Sequence, residues 1–234
     1  MKCKHSILGS LFATTLFAIH SQAGVIVIGN PADATNGNSF PFESYASEYQ
    51  QVYTNTLFSS PETIIGLEFF NTVVNSNANS LESGTWTISL STTSANWNTL
   101  STNYSANIGA NNTQVFSGNL SQPWAFGDTL IINFATPFTY NPAAGNLLLD
   151  VTASGLTGDD SVSFDTNGYN NDALNGNTIM GRVYTSAGTH VNSGYGLVTG
   201  FVTAPEPGSL LLLGTGLFGL TAACRSRLRL RPVD

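Results

Sequence analysis

The segment Thr85–Ser91, which reads TWTISLS, decides the fold class of this chain. Its large apolar residues, Trp86, Ile88 and Leu90, alternate with hydroxyl-bearing residues. Successive side chains of a β-strand point to opposite faces of the sheet, so this alternation predicts a strand with one buried face and one solvated face.

The same pattern recurs along the body of the chain, between turn-forming pairs such as Ser83-Gly84, Asn167-Gly168 and Ser193-Gly194. Many short strands separated by such turns predict an all-β fold, an antiparallel β-sandwich or jelly roll. The further predicted strands are Gly24–Ile28, Ile64–Phe70, Gln114–Leu120, Thr129–Phe134, Leu147–Ala153, Ser161–Asp165, Thr178–Tyr184 and Gly196–Val202.

One short helix is predicted to begin near Ser94. Helical spacing would bring Trp97, Leu100 and Tyr104 close to one face of that helix. The sequence shows no convincing internal repeat, so it does not favour a β-solenoid.

Charge is distributed unevenly between the body and the two ends. Between residues 24 and 204 the only basic side chain is Arg182, against twelve Asp and Glu residues. A nucleic-acid partner is excluded because it requires a basic surface. The two cysteines, Cys3 and Cys224, lie near the ends, so the body must be stable without a disulfide.

The first 23 residues have the order of a secretory signal peptide. Lys2 and Lys4 precede an apolar stretch, and Ser21-Gln22-Ala23 follows as a small-x-small cleavage pattern. Cleavage after Ala23 is therefore predicted, and it would leave an exported β-domain over residues 24–203.

Residues 204–234 form a three-part tail. Pro205-Glu206-Pro207 is predicted to be extended, because proline restricts its own backbone and that of the residue before it. Residues 209–224 carry no charge, and Arg225, Arg227, Arg229 and Arg231 follow. This order predicts a short transmembrane helix whose basic end stays in the cytoplasm, so that the body lies outside.

In these three parts the tail resembles the sorting signal of the PEP-CTERM family of bacterial surface proteins. The resemblance covers about the last thirty residues and includes the Pro-Glu-Pro motif, although many members have Val where this chain has Ala204. It implies that an exosortase, a membrane-embedded transpeptidase-like enzyme, recognises Pro205, Glu206 and Pro207 as substrate positions. It also implies a Gram-negative host and delivery to the cell surface or to an exopolysaccharide matrix.

The body offers few catalytic side chains. His190 is the only histidine outside the predicted signal peptide, and Thr189-His190-Val191-Asn192 is predicted to be a loop near a strand. A lone histidine is more often a surface residue than a general base, and no histidine pair is available for zinc. The prediction is therefore a protein that is not an enzyme and has no obligatory cofactor.

Two interpretations remain open for the polar segment 158–172. Its carboxylate and amide oxygens suit calcium, with Asp159, Asp160, Asp165 and Asp172 as the candidate ligands. The other interpretation, which is favoured, is a strand over Ser161–Asp165 flanked by solvated acidic turns.

Tryptophans in loop-like contexts are candidates for stacking on sugar rings. Trp97 and Trp124 have such contexts, whereas Trp86 alternates with core residues. Together with the few catalytic side chains, the resemblance of the tail implies a structural or interaction protein of the cell surface or exopolysaccharide matrix. The alternative is a carbohydrate-binding module, with calcium assistance if the acidic segment binds a metal.

Overall fold

A computed structural model describes residues 23–29, 37–42, 46–72, 80–157, 162–168, 178–186 and 188–205. These residues are mostly β-structure arranged in antiparallel sheets, which confirms the predicted fold class at that level. Residues 23–204 form one compact unit. Most of the predicted signal peptide, and the tail beyond Pro205, lie outside the described residues.

Thirteen strands and three short 3-10 turns make up the described structure. The 3-10 turns are Asn55–Leu57, Tyr104–Ala106 and Pro142–Ala144. The strands are β1 (Gly24–Ile28), β2 (Gly37–Asn38), β3 (Glu48–Tyr53), β4 (Glu62–Phe70), β5 (Ser83–Thr93), β6 (Thr113–Gly118), β7 (Thr129–Tyr140), β8 (Asn146–Thr157), β9 (Phe164–Asn167), β10 (Met180–Ser186), β11 (Gly188–Ser193), β12 (Gly196–Leu197) and β13 (Thr199–Thr203).

Two large sheets supply the layers of the fold. One contains four strands in the order β1-β13-β4-β7, and the other contains six in the order β11-β10-β3-β8-β5-β6. A small third sheet has the order β12-β9-β2. The chain crosses repeatedly between the two large sheets, and within them only β5 and β6, and β10 and β11, are neighbours both in sequence and in a sheet.

The main core lies between the inner faces of the two large sheets. Trp86, Ile88 and Leu90, the apolar residues of the opening segment, are at most 1% exposed and belong to this core. They pack in one cluster with residues of the four-stranded sheet such as Leu67 and Phe201. The apolar side chains of β5 therefore face the core, as their alternation in the sequence predicts.

A second, smaller core lies on the outer face of the six-stranded sheet. We call it the outer cluster: the buried residues Val52, Leu100, Leu148 and Val183, with Ala95, Trp97, Tyr104 and Ile108 packed against them. The connection between β5 and β6 supplies its cover.

The predicted helix near Ser94 is wrong. This part of the chain forms bends, turns and one 3-10 turn. Asn96 accepts a hydrogen bond from the Trp97 N–H, and Thr99 Oγ1 accepts one from the Asn96 N–H. Such side-chain bonds to nearby backbone groups compete with helix formation. The three residues predicted to share a helix face nevertheless meet, in the outer cluster.

Strand β3 (EYQQVY) was not predicted, because adjacent glutamines break the alternation. Both Gln50 and Gln51 are fully buried. The Gln51 side chain accepts from the Leu197 N–H at 2.8 Å and donates to the Leu197 carbonyl at 2.9 Å. It therefore extends the hydrogen-bond pattern of a strand from β3 to β12 and satisfies its own polar atoms.

Candidate functional site

The hairpin formed by β10 and β11 lies at one edge of the six-stranded sheet and carries a group of stacked rings. Tyr184 pairs with His190 across the hairpin. Their rings are nearly parallel, with centroids 5.2 Å apart, and the Phe40 ring stacks on Tyr184 at 4.6 Å. His190 is exposed, and Tyr184 and Phe40 are half-buried. We call Phe40, Tyr184 and His190 the ring stack.

Arg182 lies two residues before Tyr184 and therefore on the same face of β10. It is 4% exposed, and its guanidinium carbon lies 4.7 Å from the Tyr184 ring centroid and 4.1 Å from that of Tyr195. Its Nη1 donates to Asn38 Oδ1 at 2.9 Å. The single basic residue of the body is thus held by two aromatic faces and an amide.

Two buried polar atoms beside the ring stack have no hydrogen-bond partner among the described residues. They are Arg182 Nε and Asn192 Oδ1. Arg182 and Asn192 are paired residues in the β10–β11 register, so their side chains leave the hairpin side by side. A buried polar group without a partner is costly, so this donor and this acceptor mark a place suited to a small polar group.

The hairpin was only partly predicted from the sequence. The strand predicted over Thr178–Tyr184 corresponds to β10, but His190 lies in strand β11 rather than in a loop. The signal that could have identified β11 is the alternation of the β-branched residues Thr189 and Val191 with His190 and Asn192. The role of His190 as a surface residue agrees with its exposure.

The structure places the two tryptophan candidates in different environments. Trp124 is 1% exposed, donates from its ring nitrogen to the Ser163 carbonyl at 3.0 Å, and packs on Phe164 with centroids 4.7 Å apart. It belongs to the main core, so its loop-like context in the sequence was misleading and its faces are closed to a sugar. Trp97 is half-buried at the edge of the outer cluster and remains a candidate.

Of the four predicted calcium ligands, only Asp165 is described; Asp159, Asp160 and Asp172 lie outside the described residues. Asp165 is 1% exposed in β9, and its two carboxylate oxygens accept hydrogen bonds from the Thr72 N–H at 2.8 Å and the Thr72 hydroxyl at 2.6 Å. Within the described ranges no group of three or more potential ligands is close enough to hold a metal ion. The calcium site stays a prediction.

An acidic pair lies on the outer face of the six-stranded sheet, near Tyr104. Burial raises the pKa of Asp150, a shift that a hydrogen bond with Gln50 partly offsets. Burial, followed by the charge of Asp150, raises the pKa of Glu48. Asp150 Oδ1 has no hydrogen-bond partner among the described residues. The surroundings of the two acids therefore favour their protonated forms over their charged forms.

A cleft of about 280 Å³ opens where the edge strands β6 and β7 of the two large sheets meet. Leu120, Leu130 and Ile132 form its apolar part, and amides such as Asn119 and Gln122 line its polar part. Asn119 already donates to Ser83 Oγ at 2.9 Å and accepts from the Ser121 N–H. The Asn119 amide is thus engaged in the surrounding loop, in contrast to Arg182 Nε and Asn192 Oδ1.

The two ends of the compact unit meet at one end of the four-stranded sheet. Gly24 is paired with Thr203, and Thr203 Oγ1 donates to the Gly24 carbonyl at 3.3 Å. The Ala204 N–H donates to the Thr63 carbonyl at 2.7 Å. Pro205 follows directly and is exposed, so the first residue of the Pro-Glu-Pro segment adjoins an interior strand without a linker. Glu206 and Pro207 lie outside the described residues.

A membrane-spanning segment was predicted over residues 209–224, which are outside the described ranges. Of the residues inside those ranges, none forms a helix with the length and apolar character needed to cross a membrane.

Comparison with known proteins identifies the tail. Residues 203–227 match the PEP-CTERM protein-sorting motif. This match confirms the resemblance carried by Pro205, Glu206 and Pro207, and it starts at the last residue of β13. No curated protein matches the chain significantly. No solved structure does so either.

Proposed function

We propose, from the PEP-CTERM motif in its tail, that this chain is a non-enzymatic structural or interaction component of the cell surface or exopolysaccharide matrix of a Gram-negative bacterium. The motif implies exosortase-dependent sorting and indicates an exported, surface-targeted protein. The proposal adds a signal peptide that is cut after Ala23, a membrane-held precursor, and a jelly-roll sandwich as the mature domain.

The ends of the compact unit support this processing scheme. Gly24 and Thr203 are paired neighbours, so both proposed processing points adjoin one end of the same sheet. At its other end β13 is preceded by β12. Hydrogen bonds of the Gln51 side chain connect β12 to the six-stranded sheet, which includes the β10–β11 hairpin. Removal of both terminal segments therefore leaves every strand of the two large sheets intact.

The test is the intact mass of the protein in the membrane, surface and medium fractions of its host. We expect a species that lacks residues 1–23 and the segment beyond the Pro-Glu-Pro motif. Glu206→Ala should cause the membrane fraction to accumulate a species that retains Arg225–Asp234. Asp234→Ala, which removes an acid outside the motif, should be processed normally.

Two outcomes would contradict the proposal. If the wild-type protein retains its arginine-rich end in every fraction, the tail acts as a plain anchor. If Glu206→Ala is processed as efficiently as the wild type, the acid of the motif is not read by the processing enzyme.

Carbohydrate binding is the second candidate function, and the ring stack is the observation that favours it. Aromatic rings that are partly open to solvent, next to unpaired polar groups, are the usual elements of a small-molecule site. Trp97 on the outer cluster is the other open aromatic residue. The mature surface would then hold matrix polysaccharide through one or both of these places.

A glycan array probed with the wild type, His190→Ala and Trp97→Ala tests this function. Loss of signal in one variant assigns the contact. Phe126→Ala is the matched control, because Phe126 is 54% exposed and belongs to neither place. A blank array with wild-type protein that remains folded would contradict carbohydrate binding.

A further inference from the structure

We infer that the ring stack and the Arg182–Asn192 pair form one saccharide subsite, in which a single sugar hydroxyl bridges Arg182 Nε and Asn192 Oδ1. The ligand class is a neutral saccharide rather than a uronate. This inference deepens the carbohydrate-binding alternative and rests on it.

The geometry of the hairpin brings the two elements together. Tyr184 pairs with His190 and Arg182 pairs with Asn192, in the same register and on the same face. The Arg182 guanidinium carbon, which is bonded to Nε, lies 4.7 Å from the Tyr184 ring centroid. The unpaired donor is therefore directly beside the ring stack, so one residue of a saccharide can contact both.

The chemistry of the two unpaired atoms selects the ligand group. The Arg182 Nε–H can only donate, and Asn192 Oδ1 can only accept. A hydroxyl does both, because its oxygen accepts from Nε–H while its own hydrogen is donated to Oδ1. A carboxylate has only acceptor oxygens and would leave Asn192 Oδ1 facing a negative group.

Charge favours the same ligand class. The body carries twelve acids against Arg182 alone, so a polyanionic chain is repelled as it approaches. The Arg182 guanidinium is also already held over Tyr184 and Tyr195 and by Asn38. It also makes a side-chain hydrogen bond with Tyr49, and Nε is its one nitrogen that is buried without a partner among the described residues. It therefore does not offer the free two-pronged fork that binds carboxylates tightly.

Burial of the pair sets how the hydroxyl enters. Arg182 is 4% exposed, whereas Asn192 is half-buried and His190 is exposed. Both unpaired atoms are themselves buried, so a ligand hydroxyl has to enter from the more exposed β11 side and displace what covers them. In the free protein a buried water can make the same two bonds, and a ligand hydroxyl that reproduces both can replace this water without loss.

The experiment is titration calorimetry on the full chain in detergent, with cellohexaose and maltohexaose as neutral probes and hexagalacturonate as the anionic probe. We expect a neutral probe to bind and hexagalacturonate to bind at least tenfold more weakly. Asn192→Asp should lower the affinity for the neutral probe at least tenfold, because the new carboxylate pairs with Arg182 Nε and closes the subsite. It should leave the melting temperature unchanged or raise it.

Two further variants keep this test interpretable. Asn112→Asp makes the same change on an exposed loop and should bind as the wild type does. His190→Ala removes the exposed ring, carries little risk to folding, and should also weaken binding.

The outcomes separate the inference from the function beneath it. If a neutral probe binds but Asn192→Asp binds it equally well, or if hexagalacturonate binds more tightly, the subsite is overturned while carbohydrate binding stands. If no probe binds and Asn192→Asp only raises the melting temperature, the pair holds a structural water and both the subsite and its parent function are rejected for these sugars.

Discussion

The main core and the outer cluster both bury apolar side chains, but they are covered by different means. The main core is covered by a second sheet, whose alternating strands provide a continuous apolar face. The outer cluster is covered by the β5–β6 connection, which has no regular structure over most of its length and depends on side-chain hydrogen bonds. In the same protein, apolar surface is thus buried either under a second sheet or under a loop that side-chain hydrogen bonds hold in place.

The hydrogen bonds of Asn107 show how the loop is braced. Its Oδ1 accepts from the Ser101 N–H at 2.8 Å, and its Nδ2 donates to Gln50 Oε1 at 2.8 Å and to the Ser101 carbonyl at 2.9 Å. Thr93 adds a bond from its hydroxyl to the Asn107 carbonyl at 2.6 Å. A loop held in this way depends on a few polar contacts, whereas a sheet cover depends on many apolar ones.

The largest effect is expected for a truncation in the main core. Phe201 is fully buried and its ring makes edge contacts with Tyr53 and Phe58 at 5.0 and 5.5 Å. Phe201→Ala should lower the free energy of unfolding by about 3–5 kcal/mol. Chemical denaturation measures this loss. Val202→Ala, on the outer face of the same strand, should cost much less; equal losses would contradict the two-layer description.

Adjacent leucines of β8 compare the two cores directly. Leu149 faces the main core and Leu148 faces the outer cluster, and both are fully buried. Each Leu→Ala change should cost about 2–5 kcal/mol, with Leu148→Ala at the lower end, because a loop collapses into a cavity more readily than a sheet. Denaturant titration of the pair decides the order. A larger loss at Leu148 would show that the loop is as rigid as the sheet.

Removal of the brace should have a smaller effect that is confined to the outer cluster. Asn107→Ala leaves the buried Gln50 Oε1 without its donor, which costs about 1–3 kcal/mol. Hydrogen exchange should increase in residues 94–112 and remain slow in β4 and β13. Asn98→Ala, at an exposed position in the same connection, is the control and should change neither quantity.

The smallest effect should be stabilising and dependent on pH. The folded protein holds the pKa of Asp150 above its usual 3.8, so the folded state binds this proton more tightly than the unfolded state. Its contribution to stability is therefore lost as pH rises from about 3.8 through the raised pKa. Glu48 and Tyr104 lie close to the same carboxyl. The pKa of Glu48 is also raised, so its contribution to stability is lost with rising pH in the same way.

Asp150→Asn removes this penalty. The variant should melt a few degrees higher than the wild type at pH 7 and at the same temperature as the wild type at pH 3. Thermal melts across this range measure the difference. A gain that persists unchanged at pH 3 would show that the amide acts through its hydrogen bonds and not through charge.

Sequence patterns predicted the strands whose apolar residues alternate regularly. The predicted Gly24–Ile28 coincides with β1, and the predicted Thr85–Ser91 lies inside β5. Ser83-Gly84 was predicted as a turn but begins β5, where the register shifts between Ser83 and Thr85. A glycine-containing pair indicates an irregularity in either case, and only the pairing with β8 distinguishes a bulge from a turn.

The candidate site was predicted less completely than the strands. Tyr184, Tyr195 and His190 are visible in the sequence, but nothing in their spacing shows that Phe40 packs on Tyr184 or that Tyr195 lies against Arg182. Phe40 and Tyr184 are more than a hundred residues apart in the sequence. Such contacts depend on strand order, which local patterns do not determine.

The sequence by itself determined the class of fold, the acidic character of the body and the sorting address, because alternation, charge and the Pro-Glu-Pro tail are local properties that need no partner. The tertiary structure alone decided that Trp124 is buried and that the glutamines of β3 lie inside a sheet. It also decided that Arg182 Nε and Asn192 Oδ1, beside the ring stack, have no hydrogen-bond partner among the described residues. Burial and hydrogen-bond satisfaction depend on what the distant parts of the chain bring into contact, and that is set only when the sheets are assembled.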